Sequence, residues 1–457
     1  MSSGWGFTTT QVHAGQVPDP VTGSRALPIH QTTAYVFPDA DAAAGRFAGT
    51  QDGFTYGRLN NPTQAAVEER ITALEGGAAG LLVASGQAAV VYTVLTLAHA
   101  GDHLVSSPSL YGGTRTLFAQ NLRKRGITTT FVDDPGDPAA WARAVRPRTK
   151  AFFAESLPNP RGDVLDIEAV AAVAHRAGVP LVVDNTVGTP YLVRPIEWGA
   201  DVVVHSASKF LAGHGAALAG SIVDAGRFDY GADPQRWPDF TSPVPGYGDL
   251  VIARDFGASG WLGVDGVDLS FIVKARLEQA HDIGAAVAPF TAFLVAQGLE
   301  TLSLRMERHV ANAGAVARWL DARPDVASVT YSGLPGSPWA ALARRYTPRG
   351  PGAIVGLELP GGERAGRAFV SALRLHSHVA NIGDVRSLVI HPASTTHGQL
   401  SAAEQLQAGI TPGFVRLSVG IEDLDDILED LDVGFEAVRA LGLAGVAPAE
   451  RVGVVGS

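Results

Sequence analysis

The sequence predicts an α/β protein with a mostly parallel seven-stranded sheet and a smaller C-terminal α+β domain. Between about Gly80 and Asp224, seven short β-rich runs alternate with helical stretches, and such alternation is typical of a parallel sheet covered by helices on both faces. After about Phe290 the order changes to helices mixed with fewer strands. The 457 residues, of which 46% are hydrophobic, are enough to fill two domains.

The individual elements of the first region follow from apolar runs and turn signals. Its strand-like runs are, in order, GLLVAS, DHLVSS, TTTFVD, KAFFAES, PLVVDN, DVVVHS and GSIVD. Between them, QAAVVYTVLTLA and DIEAVAAVAHRAG carry apolar residues at helical spacing, and Gly178 and Pro180 stop the second helix. The segment from Gly226 to Asp249 is rich in glycine, proline and aromatic residues, which predicts a long ordered loop.

The two ends of the chain have different patterns. The opening segment shows little periodicity and is predicted to be an arm, residues 1–63, that packs on a neighbouring subunit. A sheet domain is expected over 64–290 and an α+β domain over 291–445, with strand-like runs ASVTYSG, AIVGLEL, SLVIHP and FVRLSVG and a final acidic amphipathic helix near Leu424–Leu441. Residues 446–457 are expected to be a flexible tail.

Composition narrows the function classes. The absence of cysteine excludes disulfides, thiolate metal sites and thiol nucleophiles, and no metal is expected. A net charge of -10 disfavours nucleic-acid binding, which depends on clustered lysine and arginine. Apolar stretches are interrupted before they reach the roughly 20 residues of a membrane span, and the start has no signal-peptide pattern. We therefore expect no membrane partner and, by default, a cytoplasmic location.

Three predicted strands end in residues suited to ligand binding. The carboxyl ends of parallel strands share one edge of a sheet, where helix N-termini present free N–H groups. The turn Ala84–Ala89 suits a phosphate, although a plain helix start explains it as well. Asp184 closes an apolar strand, and either a cationic partner such as a protonated pyridine nitrogen or a simple capping role accounts for it.

The third strand is followed by two hydroxyls and a lysine, in Ser206–Lys209. Hydroxyls can bind phosphate oxygens, and a deprotonated amine can form an imine with an aldehyde. The chain has only three other lysines. Lys124 lies in a basic helix end, Lys150 precedes a strand and Lys274 has charged helical neighbours, so Lys209 is the best candidate. Turn, acid and lysine together follow in the order that one cofactor spanning the sheet edge requires.

At these residues the sequence resembles the cystathionine gamma-synthase-like family of pyridoxal-phosphate enzymes, and within it the O-acetylhomoserine sulfhydrylase branch. The resemblance runs from Thr9 to about Leu441. It rests on the motifs Pro28-Ile29-His30-Gln31-Thr32-Thr33, Tyr56-Gly57-Arg58, Ser85-Gly86-Gln87, Tyr111-Gly112-Gly113-Thr114, Val183-Asp184-Asn185-Thr186, His205-Ser206-Ala207-Ser208-Lys209 and His391-Pro392-Ala393-Ser394-Thr395-Thr396-His397. It implies the aspartate aminotransferase-like fold of type I, with the cofactor on the sheet domain.

The resemblance also implies roles for individual residues toward pyridoxal 5'-phosphate. Lys209 would hold the cofactor as a Schiff base, Asp184 would pair with the pyridine nitrogen, and Tyr111 would stack on the ring; these three would be catalytic. The phosphate would be held by the backbone N–H groups of Gly86 and Gln87 and by the hydroxyls of Ser206 and Ser208.

Further residues would come from a neighbouring subunit or bind the substrate. Tyr56 and Arg58 would reach the cofactor from a second copy, which implies a dimer, usually paired into a tetramer. Arg416 would bind the substrate carboxylate as a bidentate fork, although an ordinary strand-end salt bridge is its plain alternative. Asn159 would lie near the cofactor and the carboxylate, and Asn381 and Tyr56 near the substrate.

The implied reaction replaces the acetate of O-acetylhomoserine by sulfide or methanethiol, giving homocysteine or methionine. Two departures disfavour other branches: Arg386 stands where cystathionine lyases carry a glutamate, and Gly113 where methionine gamma-lyases carry a cysteine. Asn381 replaces the usual serine, as in the sulfhydrylases. O-succinylhomoserine sulfhydrylase, cystathionine gamma-synthase and methionine gamma-lyase activities remain the alternatives, with O-acetylserine as a further substrate.

Two other classes differ in kind from these enzymes. A catalytically silent protein that binds pyridoxal phosphate is disfavoured by the intact Lys209, Asp184, Tyr111 and Arg416. A nicotinamide-dependent dehydrogenase would need a Gly-x-Gly-x-x-Gly turn after its first strand, and Ala84–Ala89 does not supply it.

Overall fold

The computed structural model describes residues 4–399, 401–407 and 409–443. The expected flexible tail, 446–457, lies outside the described residues. The chain forms two compact units. The first contains the described chain up to Ser156 together with Leu165–Ser303, and the second contains Leu157–Val164 and the described chain from Leu304 onward. The boundaries at 63, 290 and 445 remain predictions.

The first unit is built on a seven-stranded sheet with the order β1-β7-β6-β5-β4-β2-β3. Its strands are β1 Ala79–Val83, β2 His103–Ser106, β3 Thr128–Phe131, β4 Thr149–Glu155, β5 Leu181–Asp184, β6 Val202–His205 and β7 Gly220–Asp224. Strand β7 is antiparallel to β1 and β6, and all other pairs are parallel. Each of the seven predicted runs forms one strand, so the predicted fold class is confirmed.

Helices pack on this sheet where the sequence has helical periodicity. The helix Ile167–Arg176 begins at Asp166, whose carboxylate accepts a hydrogen bond from the backbone N–H of Ala169. Gly178 follows the helix with a φ of 70°, a conformation that glycine adopts at little cost. This agrees with the predicted stop.

The α-helices of the first unit are Phe7–His13, Ala40–Phe47, Pro62–Glu75, Gly86–Leu97, Gly112–Thr116, Leu122–Lys124, Pro138–Ala144, Ile167–Arg176, Thr189–Leu192, Pro238–Thr241, Ile252–Phe256, Ser270–Lys274 and Pro289–Leu299. Turns of π-helix and of 3-10 helix occur at Leu117–Asn121, Ala275–Ala280 and Pro195–Trp198. The helices Phe7–His13 and Ala40–Phe47 lie in the opening segment, where the sequence shows little periodicity.

The expected loop from Gly226 to Asp249 is ordered by aromatic packing. Tyr230 and Phe240 stack with ring centroids 4.2 Å apart and an interplanar angle of 9°. Trp237 meets the ring of Tyr230 edge-on at 5.2 Å, and all three side chains are buried. Burial of three large rings provides enough apolar contact to hold a segment with little secondary structure.

The second unit carries a five-stranded sheet with the order β10-β11-β12-β9-β8. Its strands are β8 Ser328–Thr330, β9 Ile354–Glu358, β10 Ser377–His378, β11 Leu388–Ile390 and β12 Phe414–Ser418. Its helices are Leu302–Asp321, which begins two residues before the boundary, Ala340–Tyr346, Gly362–Ala372, Ala402–Gln407 and Leu424–Ala440, with a 3-10 turn at Pro392–Ser394. The four predicted strands and the final acidic helix are confirmed, whereas β10 was not predicted. Within the described ranges, no helix is both long and apolar enough to cross a membrane.

Candidate active site

The central parallel strands of the first unit end side by side. Glu155, the last residue of β4, is in register with Asp184, the last residue of β5, and Asp184 is in register with Val204 of β6. His205 ends β6, and the predicted Ser206–Lys209 turn follows at once. The sheet therefore gathers the predicted acid, hydroxyls and lysine at one edge, as expected for parallel strands.

Asp184 is held by the residue two positions further on. Thr186 donates to Asp184 Oδ1 from its backbone N at 3.0 Å and from its hydroxyl at 2.5 Å. In the described part of the chain no hydrogen bond reaches the other oxygen, Oδ2. Desolvation raises the pKa of Asp184, although the bonds from Thr186 and the nearby His205 oppose that rise. A cation placed against Oδ2 would lower the pKa of this carboxyl and favour its ionised form.

The same threonine links Asp184 to Ser206. The backbone N–H of Ser206 donates to Thr186 Oγ1 at 2.8 Å. Ser206 in turn packs on Gly86, where an added Cβ would lie 2.6 Å from Ser206 Cβ and 3.0 Å from its Oγ. Glycine at this position allows the helix start and the Ser206 turn to touch.

The N-terminus of the helix Gly86–Leu97 lies at this contact between Gly86 and Ser206. Ser85 caps the helix, and its hydroxyl accepts from the backbone N–H of Ala88 at 3.1 Å. The first N–H groups of a helix, here those of Gly86 and Gln87, have no partner inside the helix and carry partial positive charge. The turn is thus both a helix start and a suitable anion site, so the two readings of Ala84–Ala89 are compatible.

Tyr111 and Gln87 lie around a second glycine. The backbone N–H of Tyr111 donates to Glu155 Oε1 at 2.5 Å, and the tyrosine side chain is exposed. A Cβ added to Gly113 would lie 2.5 Å from Tyr111 Cε1 and 2.8 Å from Gln87 Nε2. Gln87 also accepts a hydrogen bond from the hydroxyl of Thr114 at 3.2 Å. A side chain at position 113 would displace the ring, so glycine at this position leaves the space that the Tyr111 ring occupies.

Lys209 is half-buried in the turn after β6, and its backbone N–H donates to the carbonyl of Ser206 at 3.1 Å. Ser208 behaves differently from Ser206. Its hydroxyl donates to the carbonyl of Ala219 at 3.1 Å and accepts from the backbone N–H of Ala219 at 3.0 Å. To donate a hydrogen bond to a phosphate oxygen, the Ser208 hydroxyl must therefore give up its bond to the carbonyl of Ala219.

The other three lysines are placed elsewhere. Lys124 is exposed at the end of a short helix. Lys150 is buried with its Nζ 4.8 Å from the ring centroid of Trp237. Lys274 is buried and paired with Glu278. These positions support the choice of Lys209 by elimination.

Tyr56 and Arg58 contact each other, with the guanidinium carbon of Arg58 5.5 Å from the ring centroid of Tyr56. Tyr56 forms an isolated β-bridge with Ala34 and leaves 44% of its surface exposed. The pair is therefore available to a neighbouring molecule.

In the second unit, the structure brings three predicted substrate-binding residues together. Arg416, in β12, donates to the carbonyl of Asn381 at 2.9 Å and makes a long contact of 3.5 Å with Asn159 Oδ1. Both of these partners are neutral oxygens. His397, from the motif that begins at His391, has a pKa lowered by burial and by the positive charge of Arg416. His391 itself is buried and bonded to the carbonyl of Pro412 at 2.8 Å, which indicates a structural role.

Comparison with known proteins places this chain in a family. The family model for Cys/Met metabolism PLP-dependent enzymes matches residues 8–436. The chain belongs to this family. It is 50% identical over 425 residues to an O-acetyl-L-homoserine sulfhydrylase of Leptospira meyeri, covering 93% of this chain and 95% of the relative. It is 48% identical over 437 residues to an O-acetyl-L-homoserine sulfhydrylase of Corynebacterium glutamicum, covering 95% and 98%.

A similar solved structure supports the fold and the cofactor. A crystal structure from Campylobacter jejuni, 36% identical with a TM-score of 0.88, covers 94% of this chain and 100% of its own, and contains N'-pyridoxyl-lysine-5'-monophosphate. The chain is thus a pyridoxal-phosphate-dependent enzyme, as the sequence predicts.

The residues at the sheet edge fit this cofactor. The raised pKa of Asp184 and the open side of its Oδ2 suit a protonated pyridine nitrogen. The close contact of Gly86 with Ser206 joins a helix N-terminus to a hydroxyl, which suits a phosphate. Lys209, in the turn after β6, carries an amine of the kind that condenses with an aldehyde.

Sequence reasoning missed the connecting residue, Thr186. It stands in a recognised motif, but no role was predicted for it. The available signal was its spacing, because a hydroxyl or N–H two residues after an aspartate commonly bonds the aspartate side chain.

Proposed function

We propose that the chain catalyses γ-replacement on O-acetyl-L-homoserine, in which sulfide or methanethiol displaces acetate and homocysteine or methionine is formed. The observation that carries the proposal is the junction at which Thr186 ties Asp184 to Ser206 while Ser206 packs on Gly86. The junction provides an acid, an anion site and the adjacent Lys209. The similarity to two sulfhydrylases over nearly the whole chain supports the substrate and the product.

We assign the cofactor-holding roles to the residues gathered at the sheet edge. Lys209 binds the aldehyde carbon, Asp184 accepts a hydrogen bond from the protonated pyridine nitrogen, and Tyr111 stacks on the ring. The backbone N–H groups of Gly86 and Gln87, at the start of the helix, bind the phosphate together with the hydroxyls of Ser206 and Ser208. When bound, pyridoxal phosphate withdraws electrons from the substrate and makes protons at Cα and Cβ removable.

The chain's own groups then bind the substrate and move its protons. Arg416 binds the α-carboxylate through its planar guanidinium, with Asn159 and Asn381 fixing the orientation of that guanidinium. The amine of Lys209, displaced by the substrate's amino group, removes the proton at Cα. Loss of a proton at Cβ accompanies departure of acetate from Cγ. Sulfide forms the new bond at Cγ, and protons return to Cβ and Cα.

We further propose that the protein is a homodimer, paired into a tetramer, in which Tyr56 and Arg58 serve the cofactor of the neighbouring copy and Tyr56 also approaches the substrate. The N-terminal segment supports this, because Val21 and Val36 expose 90% and 94% of their surfaces. Val17 and Phe47 of the same segment are also exposed, and a concentration of exposed apolar side chains favours an interaction surface. Light scattering of the purified protein measures the assembly, and an Arg58→Ala change is expected to weaken cofactor binding. A cytoplasmic location is part of the proposal and is tested by cell fractionation.

A substrate panel tests the reaction. O-acetylhomoserine, O-succinylhomoserine, O-acetylserine, cystathionine and methionine are supplied separately to the holoenzyme, with and without sulfide or methanethiol. We expect acetate release coupled to homocysteine formation to be fastest with O-acetylhomoserine and sulfide. Dominant cleavage of cystathionine or methionine would overturn the substrate assignment.

Two lysine variants test the site itself. Lys209→Ala is expected to abolish the cofactor's lysine-bound absorbance and to lower turnover at least about 1,000-fold, the size of effect expected when a group that acts as both nucleophile and base is lost. Lys124→Ala, on the exposed helix end, is the matched control and should retain both properties. Full activity in Lys209→Ala would refute the proposed site.

A further inference from the structure

A fully buried carboxylate lies at the ends of β5 and β6. Glu75 is the last residue of the helix Pro62–Glu75, and its exposed fraction is 0%. The C-terminal end of a helix carries partial negative charge, so a buried anion there is destabilised unless strong donors bind it. Hydrogen bonds to the Glu75 carboxylate are therefore needed to offset the cost of burying it.

Glu75 Oε1 has two such contacts, which come from two different strand ends. Asn185 donates to it from Nδ2 at 2.8 Å, and His205 Nε2 lies 2.7 Å away. Both partners are also 0% exposed. Glu75 Oε2 and His205 Nδ1 are buried and have no hydrogen-bond partner in the described ranges. Glu75 Oε1 and its two partners thus form a polar junction that joins the end of this helix to the ends of β5 and β6.

Asn185 extends this junction to a third strand. Ser156, the residue after β4, donates from its hydroxyl to Asn185 Oδ1 at 2.7 Å. Asn185 Nδ2 also donates to the carbonyl of Val193 at 2.9 Å. With both ends of its amide bonded, Asn185 has little freedom to move, and a change at Glu75 acts directly on the end of β5.

The two donors are the immediate neighbours of the proposed cofactor ligands. Asn185 follows Asp184, and His205 precedes Ser206. Successive side chains of an extended chain point to opposite sides. Thr186 links Asp184 to Ser206, so the Glu75 junction and the Thr186 link tie together the same two strand ends.

We propose that Glu75 is a positioning residue for the cofactor. Through Asn185 and His205 its carboxylate fixes the spacing between the ends of β5 and β6, and so holds Asp184 and Ser206 at the separation that pyridoxal phosphate spans. A site fixed before binding loses less conformational freedom when the ligand arrives, and therefore binds it more tightly. This inference rests on the proposed roles of Asp184 and Ser206.

Cofactor affinity separates positioning from simple stabilisation. The apoprotein of each variant is titrated with pyridoxal phosphate, Kd is read from the absorbance change, and the unfolding midpoint of the apoprotein is measured in parallel. Glu75→Ala is expected to raise Kd at least about tenfold, as for the loss of one or two hydrogen bonds to a charged group. Glu75→Gln keeps an acceptor oxygen at Oε1 and should raise Kd about threefold or less.

A matched control is available elsewhere in the same sheet. His103 begins β2, is buried, and its Nδ1 and Nε2 lie 2.9 Å and 2.8 Å from the hydroxyls of Thr149 and Thr130. His103→Gln should lower the unfolding midpoint and leave Kd unchanged. If Glu75→Ala yields no folded protein, Asn185→Ser removes one of the two donors and carries the same expectation of a raised Kd.

Asp184→Asn separates failure of this inference from failure of the proposed function. A raised Kd in both Asp184→Asn and Glu75→Ala supports the inference. A raised Kd in Asp184→Asn, with an unchanged Kd and a lowered unfolding midpoint in Glu75→Ala, overturns the positioning role and leaves the proposed site intact. An unchanged Kd in Asp184→Asn overturns both.

Discussion

Replacing Asp224 by asparagine is expected to remove a pH dependence from the free energy of unfolding. Asp224 ends β7 and is 4% exposed. The backbone N–H groups of Gly226 and Ile272 donate to its two oxygens at 2.9 Å and 3.2 Å. Burial nevertheless raises the pKa of this carboxyl to about 8, because desolvation outweighs both hydrogen bonds and the nearby Asp268 adds like charge.

The direction of the effect follows from the two pKa values. Between the ordinary value of 3.8 and the folded value of about 8, the folded chain holds a proton that the unfolded chain has released. The stabilisation from Asp224 is therefore complete below a pH of 3.8 and is lost as the pH rises to about 8. One pKa unit corresponds to about 1.4 kcal/mol, so the whole window amounts to roughly 6 kcal/mol at most.

Urea unfolding of the wild-type protein and of Asp224→Asn, from about pH 5 to about pH 9, measures this contribution as a difference. Asparagine has the shape of aspartate but does not titrate, and its amide group facing a backbone N–H adds a constant penalty of about 1–3 kcal/mol. We expect the unfolding free energy of the wild type to fall relative to the variant by about 1.4 kcal/mol per pH unit and to level off above about pH 8. A difference that stays constant over this range would refute the reasoning.

Three further predictions test the site and the core. Arg416→Lys should raise the KM for O-acetylhomoserine about 10- to 100-fold with a smaller change in kcat, because an ammonium cannot form a two-pronged contact with a carboxylate; steady-state kinetics that give an unchanged KM contradict the assignment. Gly113→Ala should lower kcat/KM about tenfold or more, since its Cβ would meet Tyr111 Cε1 at 2.5 Å, whereas Gly112→Ala, whose Cβ meets nothing within 4 Å, should leave it unchanged; equal effects in both variants contradict this role of Gly113. Phe240→Ala should lower the free energy of unfolding by about 3–5 kcal/mol in urea titrations, and a loss below about 1 kcal/mol would show that the aromatic cluster does not hold its segment.

The sequence predicts the strands of the first unit well because most of them are buried on both faces. A strand such as β6 is apolar until its last residue and is bounded by turn signals, so local pattern and tertiary position agree. The helix Phe7–His13 lacks this signal. Its buried residues are Thr10 and Gln11, and Gln11 is held by a hydrogen bond of 2.9 Å to Ser303 Oγ. A polar contact across almost 300 positions leaves no periodicity to recognise.

The residues that we propose to contact the cofactor are more visible in the sequence than the residues that arrange them. Lys209 stands out because lysine is scarce and its chemistry is specific. The roles proposed for Thr186 and Glu75 depend on which strand ends lie side by side, and this information appears only with the sheet order. The hydrogen bonds between the Ser208 hydroxyl and the backbone of Ala219 likewise depend on the path of the chain into β7.

Asp184 and Asp224 show why a local pattern cannot decide a role by itself. Each ends an apolar strand, and burial raises the pKa of each carboxyl. Strand β7 is antiparallel to β6, whereas β5 is parallel to it, so the two acids lie at opposite edges of the sheet. Asp184 shares its edge with a helix N-terminus and Lys209, where a bound pyridine can supply the cation that the carboxylate lacks. Asp224 lies near other acids. It therefore stays buried in its protonated, neutral form. The direction of the strand therefore determines whether the same local pattern provides the acid that we propose as a cofactor ligand or a neutral acid of the core.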